Sequence, residues 1–296
     1  MIKNAIIYKI GGNWTADLPA LEEALQKATF QPCTPSQDKS SGWVPPRGEA
    51  HGALVESIGG QWMLRYHSEA KLLPASVVQK HVQEKCDAIE RECGRKPGKK
   101  EQRDLKEEAR IDLLPQAFSK ESGMWVWIDP QARFLVIDTS SQTRADAVAS
   151  LLVECLPGFA LALLDTQSSP QAAMAQWLLD QDPPPAFSID QECELKAVGD
   201  SGAVVRYGRH PLDIDEVRVH IEQGKLPKKL AMTWEGRVSF VLTAGLRLLG
   251  IQFLQTVLAD ANDESGFDAD VAIVTGELAR LLPDLIAALS SDSAAV

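Results

Sequence analysis

The chain has 296 residues, of which 45% are hydrophobic and 24% are charged, and its formal net charge is −11 at pH 7. These proportions exclude a largely disordered chain, and the length allows two or more sub-domains that share one body. No stretch approaches the roughly 20 apolar residues that cross a bilayer. With no signal-peptide pattern at the N-terminus, the sequence predicts a soluble cytoplasmic protein without membrane contact.

The cysteines predict reduced thiols, because they are odd in number and scattered along the chain. They are Cys33, Cys86, Cys93, Cys155 and Cys193. A metal held by His81, Cys86 and Cys93 is an alternative, but their spacing matches no common zinc pattern. We therefore expect no metal and no other cofactor.

The first elements form a strand followed by a helix and then a hairpin. Residues 4–10 predict a strand, and residues 17–28 predict a helix that Asp17 caps. Strands at 53–58 and 61–66 flank Gly59 and Gly60, a pair typical of a two-residue hairpin turn with positive φ.

Two helices are predicted next, from Pro74 to about Glu92 and from about Lys100 to Leu114, with a break at Gly94 and Pro97-Gly98. We interpret residues 75–122 as a projecting helical arm.

The rest of the chain predicts strand hairpins that alternate with helices. The predicted segments are Trp125–Asp129, Phe134–Asp138, a helix from Arg144 to Leu156, Ala231–Trp234, Arg237–Thr243, a helix-like or strand-like stretch Leu246–Leu258, a strand Val271–Thr275, a helix Glu277–Leu289 and a frayed tail Ser290–Val296. Recurrent hairpins and helices indicate an α+β fold with mostly antiparallel sheets and packed helices.

The domain organisation predicted from these segments has five parts. They are a central body in three pieces (1–74, 123–164 and 230–296), the helical arm (75–122) and a smaller base lobe (165–229), which Pro-rich segments and irregular periodicity set apart.

Sequence motifs of catalysis are missing: there is no GxxxxGK[ST], GxGxxG, GxSxG or HExxH pattern. Acidic pairs such as Asp268/Asp270 and Asp213/Asp215 leave a Mg²⁺-dependent nuclease as an alternative. Because the chain has 41 acidic residues, such pairs arise by chance. We predict a protein that is not an enzyme.

Positive charge is concentrated between Arg91 and Lys106. This segment contains seven basic and three acidic residues, a local net charge of +4. The basic members are Arg91, Arg95, Lys96, Lys99, Lys100, Arg103 and Lys106. They lie at the predicted bend of the arm, where cations are placed to touch a phosphate backbone. A solvated helix end is the alternative.

A second basic set runs from Arg206 to Arg237 with a local net charge of +2. Its tightest group is Lys225, Lys228 and Lys229, just before a predicted strand. Neither set is densely interleaved with aromatic residues that would stack on unpaired bases, which favours duplex over single-stranded nucleic acid.

Seven segments, in order and roughly in register, resemble the RdgC family. They are Phe30-Gln31-Pro32-Cys33, Ser36-Gln37-Asp38 leading to Gly42-Trp43-Val44-Pro45-Pro46, Lys71-Leu72-Leu73-Pro74, Leu113-Leu114-Pro115-Gln116-Ala117-Phe118-Ser119, Trp127-Ile128-Asp129, His220-Ile221-Glu222-Gln223-Gly224-Lys225 and Thr275-Gly276-Glu277-Leu278.

The resemblance implies a horseshoe-shaped subunit that forms a ring-shaped homodimer, with duplex DNA passing through a basic hole and single-stranded DNA as a further candidate ligand. It implies occupation of DNA without sequence preference, antagonism of RecA-mediated strand exchange, no nucleotide hydrolysis and a nucleoid-associated location. A module that binds a recombination or replication protein directly is the alternative.

The expected site residues follow from the basic sets and from matching family positions. The DNA-contact candidates are Lys96, Lys99, Lys100, Arg103, Arg206, Arg209, Lys225, Lys228 and Lys229. Phe118 matches a hydrophobic contact of the dimer gate, with an ordinary core phenylalanine as the alternative. Pro97-Gly98 and Tyr207-Gly208 depart from a more basic family pattern.

Overall fold

The computed structural model describes residues 1–199, 202–260 and 266–290, and its contacts divide the chain into two compact units. Unit 1 comprises residues 1–24, 45–64 and the described residues from 125 onward, and unit 2 comprises residues 25–44 and 65–124.

The strands are β1 (Ile6–Ile10), β2 (Lys39–Val44), β3 (Val55–Ile58), β4 (Gln61–Leu72), β5 (Phe118–Asp129), β6 (Phe134–Ile137), β7 (Leu161–Leu163), β8 (Phe187–Ala197), β9 (Val204–Tyr207), β10 (Lys225–Trp234), β11 (Val238–Thr243) and β12 (Leu248–Phe253). The helices are α1 (Leu18–Gln26), α2 (Ala75–Cys93), α3 (Lys99–Leu113), α4 (Gln142–Cys155), α5 (Pro170–Asp180), α6 (Asp215–Glu222), α7 (Gln255–Asp260) and α8 (Phe267–Ala288), with a 3-10 turn at Leu114–Gln116. The predicted α+β class with antiparallel sheets is confirmed.

In unit 1, part of the first sheet has the strand order β5-β6-β1-β7, and β3 pairs with the first residues of β4. The β3–β4 turn has φ values of 58° at Gly59 and 81° at Gly60. Two successive positive φ angles are what a two-residue hairpin turn with right-handed strand twist requires, and glycine adopts them without steric cost. The predicted hairpin is confirmed.

The second sheet, also in unit 1, has the order β12-β11-β10-β8-β9, and all its pairings are antiparallel. Leu230, Leu242 and Leu248 are paired side by side across three strands and are fully buried. They join a core to which α5, α6 and α8 contribute. Because side chains alternate along a strand, Lys229, next to Leu230, lies on the opposite, exposed face.

The predicted strand Val271–Thr275 is wrong, because these residues lie inside helix α8. The run contains β-branched residues that favour strands on local grounds. However, Val271, Val274, Leu278 and Leu285 recur at helical spacing and are all buried on one face. Burial of that apolar stripe outweighs the local preference.

The stretch Leu246–Leu258, which the sequence left open between helix and strand, contains both β12 and the start of α7. The predicted tail lies outside the described residues beyond Ser290. The five-part domain division stays a prediction.

Unit 2 combines strands in the order β2-β4-β5 with the antiparallel hairpin of α2 and α3. The hairpin has its own small core of Val78, Val82 and Ala109. Both predicted helices are confirmed, and their bounds agree with the sequence to about one residue. Residues 118–122, which the sequence placed in the arm, form the first part of β5.

Candidate nucleic-acid interface

The turn between α2 and α3 is held by specific hydrogen bonds. Gly94 ends α2 with a left-handed φ of 69°, and its N–H donates to the carbonyl of Glu90 at 2.9 Å. Arg95 then donates two hydrogen bonds to the carboxylate of Glu101, at 2.7 and 3.2 Å. These bonds hold the pKa of Glu101 below its usual value. The carboxylate therefore stays charged and fixes the turn against the first turn of α3.

Four predicted contact residues lie together around this turn, and we call them the tip cluster: Lys96, Lys99, Lys100 and Arg103. All four are exposed. Lys96 is 80% exposed, and its ammonium lies 3.9 Å from Glu90. For the other three, no ion pair with a described residue is present. The cluster is thus an accessible group of cations.

Carboxylates of the same hairpin are neutralised elsewhere. Lys85 Nζ on α2 lies 2.6 Å from Asp112 Oδ2 and 3.1 Å from Glu108 Oε1 on α3. The hydrogen bond to Asp112, ahead of that to Glu108, raises the pKa of Lys85. Glu108 and Asp112 are thus engaged by Lys85 and do not pair with the tip cluster.

A second cationic site, the sheet cluster, consists of Arg206 on β9, Glu194 on β8 and Lys229 on β10. The register pairs Glu194 with both cations. Glu194 Oε2 lies 2.9 Å from Arg206 Nε and 3.6 Å from Lys229 Nζ. The hydrogen bond from Arg206 is the largest cause that keeps the pKa of Glu194 below its usual value, and the charge of Lys229 adds to it.

A β-bulge places Lys229 in this cluster. Pro227 pairs with Leu195 and Lys229 pairs with Glu194, so two steps on β10 match one step on β8. Without the extra residue, Lys229 would fall on the buried face that carries Leu230. Proline is tolerated at this point because a bulge relieves the need for a ladder N–H.

The other predicted DNA-contact residues make no hydrogen bond or ion pair with the described members of either cluster. Arg209 is exposed in a turn with a φ of 54°. Lys225 Nζ lies 2.9 Å from His220 Nδ1, and Lys228 is half-buried beside the bulge.

Phe118 is 85% exposed at the first position of β5. The alternative of an ordinary core phenylalanine is therefore wrong. An exposed aromatic ring of this size is a candidate contact for another molecule.

No group of three or more His, Cys, Asp or Glu side chains that could hold a metal ion occurs in the described part of the chain. One oxygen of Asp268, from a candidate acidic pair, lies 2.5 Å from Arg47. Across residues 1–199, 202–260 and 266–290, no helix is both long and apolar enough to cross a membrane.

Sequence reasoning missed the role of Glu194, which lies far along the chain from Lys229. The only available signal was its position in an alternating strand between the apolar Cys193 and Leu195.

The chain is similar to known proteins along nearly its whole length. A family model described as "Putative exonuclease, RdgC" matches residues 1–292. The "Recombination-associated protein RdgC" of Dechloromonas aromatica is 41% identical over 298 residues, which cover 98% of this chain and 97% of that protein. The proteins of the same name from Janthinobacterium sp. (strain Marseille) and Bordetella pertussis are 41% and 39% identical over 295 residues, with 98% of each chain covered. The chain therefore belongs to the RdgC family of recombination-associated proteins.

Proposed function

We propose that the protein binds duplex DNA without sequence preference and thereby limits RecA-mediated strand exchange. The observation that carries the proposal is the tip cluster, an exposed group of cations in a chain whose net charge is −11. A strongly acidic protein gains nothing in solubility from a concentrated basic turn, whereas phosphate binding requires one. The sheet cluster is the second contact surface.

The proposed assembly is a ring-shaped homodimer of horseshoe-shaped subunits that encircles DNA at the nucleoid. Phe118 supports this proposal, because a large apolar side chain that is 85% exposed loses its contact with water when a second subunit covers it. Within this proposal Phe118 belongs to the dimer interface.

Binding of the purified protein to a fluorescent duplex of random sequence, measured across a salt series, tests the proposal. Six to nine phosphate contacts predict a slope of log affinity against log salt of about −5 to −8, and a loss of roughly 10³-fold or more between 50 and 200 mM salt. Sedimentation should report a dimer. A shallow slope, or preference for one sequence, would contradict the proposal.

The description "Putative exonuclease" requires a separate control. Linear duplex incubated with the protein and Mg²⁺ or Mn²⁺ is expected to keep its full length, since we propose a role that needs no catalysis and no cofactor. Shortened products would show a nuclease instead.

A second candidate is a module that binds a recombination or replication protein directly. It is favoured by exposed apolar side chains in unit 2, where Ile111 is 66% and Phe118 85% exposed. Capture of purified RecA after nuclease treatment, by a variant that no longer binds DNA, would favour this candidate.

The substitution Glu194→Gln is expected to raise duplex affinity, because it frees Arg206 and Lys229 from their shared carboxylate. One added net positive charge at a phosphate-contact site steepens the slope of log affinity against log salt by about 0.9. At 0.1 M salt this corresponds to a roughly eightfold higher affinity. The control is Glu235→Gln, which removes an exposed carboxylate from the turn that follows β10. Equal effects of the two substitutions would argue against a contact at the sheet cluster.

A further inference from the structure

Helix α3 carries a line of four cations that extends well beyond the tip cluster. The four are Lys99, Arg103, Lys106 and Arg110, and all are exposed. Their spacings of four, three and four residues place them within an arc of about 60° on a helix with 3.6 residues per turn. The line is therefore a single stripe along one side of the helix.

Acidic residues of α3 lie on a different side. The helical periodicity places Glu101, Asp104, Glu108 and Asp112 within an arc of about 80°, roughly opposite the stripe. Glu108 and Asp112 of this set contact Lys85 on α2. Leu105, Ala109 and Leu113, between the two sides, join the small core with α2. One carboxylate, Glu107, borders the stripe.

The far end of the stripe is only weakly occupied by the protein itself. Arg110 lies 3.7 Å from Asp38, and the two side chains are 47% and 69% exposed. Exposed ion pairs of this kind contribute little free energy and exchange readily with another anion. A phosphate group can therefore take the place of Asp38.

The length of the stripe fits a nucleic-acid backbone. Lys99 and Arg110 are separated by eleven residues, or about 16 Å along the helix axis. Successive phosphates of one strand advance about 3.4 Å along the duplex axis and lie roughly twice as far apart along the strand itself, so the stripe faces about three phosphates. Helices α2 and α3 contain no Phe, Tyr or Trp that could stack on unpaired bases. The lack of stacking residues on these two helices favours a duplex over a single strand.

We propose that α3 lies along one sugar-phosphate strand of duplex DNA, and that Lys106 and Arg110 are phosphate contacts in addition to the tip cluster. This inference rests on the proposed DNA binding and specifies how unit 2 engages the duplex. The contact is to the backbone, so it carries no base preference.

The substitutions Lys106→Gln and Arg110→Gln test the inference, singly and together. Each is expected to reduce the salt slope by about 0.9 and the duplex affinity roughly eightfold at 0.1 M salt, and the double variant roughly 60-fold. The matched control is Lys80→Gln, which removes an exposed charge from α2. By helical periodicity Lys80 lies on the side of α2 away from the buried Val78 and Val82, and we expect less than a twofold change.

The outcomes separate this inference from the proposed function. If the unaltered protein shows no salt-dependent duplex binding, both fail. If it binds but Lys106→Gln and Arg110→Gln behave as Lys80→Gln does, the tip and sheet clusters remain the contact surfaces and the stripe is excluded. Stronger binding to a single strand than to a duplex of equal length would also overturn the inference. Unchanged thermal unfolding of each variant verifies that folding is intact.

Discussion

Replacement of all four residues of the tip cluster by glutamine is expected to lower duplex affinity about 4 × 10³-fold at 0.1 M salt. Each phosphate contact adds about 0.9 to the salt slope, and four contacts therefore account for a slope of about 3.6. The fold should survive, because the four side chains are exposed and the turn is held by Arg95 and Glu101, which remain. Titration of a labelled duplex at several salt concentrations measures both the affinity and the slope.

The matched control neutralises four exposed cations outside the predicted contact surfaces: Lys3, Lys9, Lys80 and Lys120. It makes the same change in net charge, so it reports the long-range contribution of charge alone. A comparable loss in this control would show that the tip cluster has no special role. A tip variant that keeps the full slope would move the binding surface to the sheet cluster.

Features encoded by neighbouring residues could be predicted from the sequence. The hairpin at Gly59-Gly60 and the helices α2 and α3 depend on turn glycines and on spacings of three and four residues. The tip cluster was found for the same reason, because its members lie within eight consecutive residues in the turn and the start of α3. Local chemistry thus identified the tip cluster as a group, and of the sheet cluster it identified Arg206 and Lys229 but not Glu194.

Features that depend on strand register could not be predicted. Glu194 contacts Lys229 only because β8 pairs with β10, and Lys229 faces it only because the bulge after Pro227 shifts the register by one residue. A single-residue slip would reverse the face of every following side chain. The error at Val271–Thr275 has a related origin, since burial of α8 against the core outweighs local strand preference.

The segment Thr275-Gly276-Glu277-Leu278, one of those that resemble the family, has a structural explanation. Thr275 Oγ1 donates to the carbonyl of Val271 at 2.7 Å inside α8. Glu277 is 6% exposed and accepts two hydrogen bonds from Arg237, at 3.0 and 2.8 Å. Arg280 also contacts this carboxylate. We infer that this segment stabilises unit 1 and does not contact DNA.

The substitution Glu277→Ala is expected to lower the free energy of unfolding by about 3 kcal/mol. This value is at the lower end of the range of costs for removing one partner of a buried ion pair. The loss is large because Arg237, whose side chain is only 23% exposed, would lose two hydrogen bonds and the negative charge of Glu277. Urea unfolding, followed by the fluorescence of the seven tryptophans, measures the change.

Two further variants distinguish a buried charge from an ordinary surface contact. Arg280→Ala removes a partner that is 56% exposed and should cost about 1 kcal/mol or less. Glu277→Gln keeps one acceptor oxygen but loses the negative charge, so its cost should fall between those of the other two. All three variants should retain the salt slope of DNA binding of the unaltered protein. If Glu277→Ala is no less stable than Arg280→Ala, the carboxylate of Glu277 does not compensate the charge of Arg237. If Glu277→Ala reduces the salt slope, the segment takes part in DNA binding.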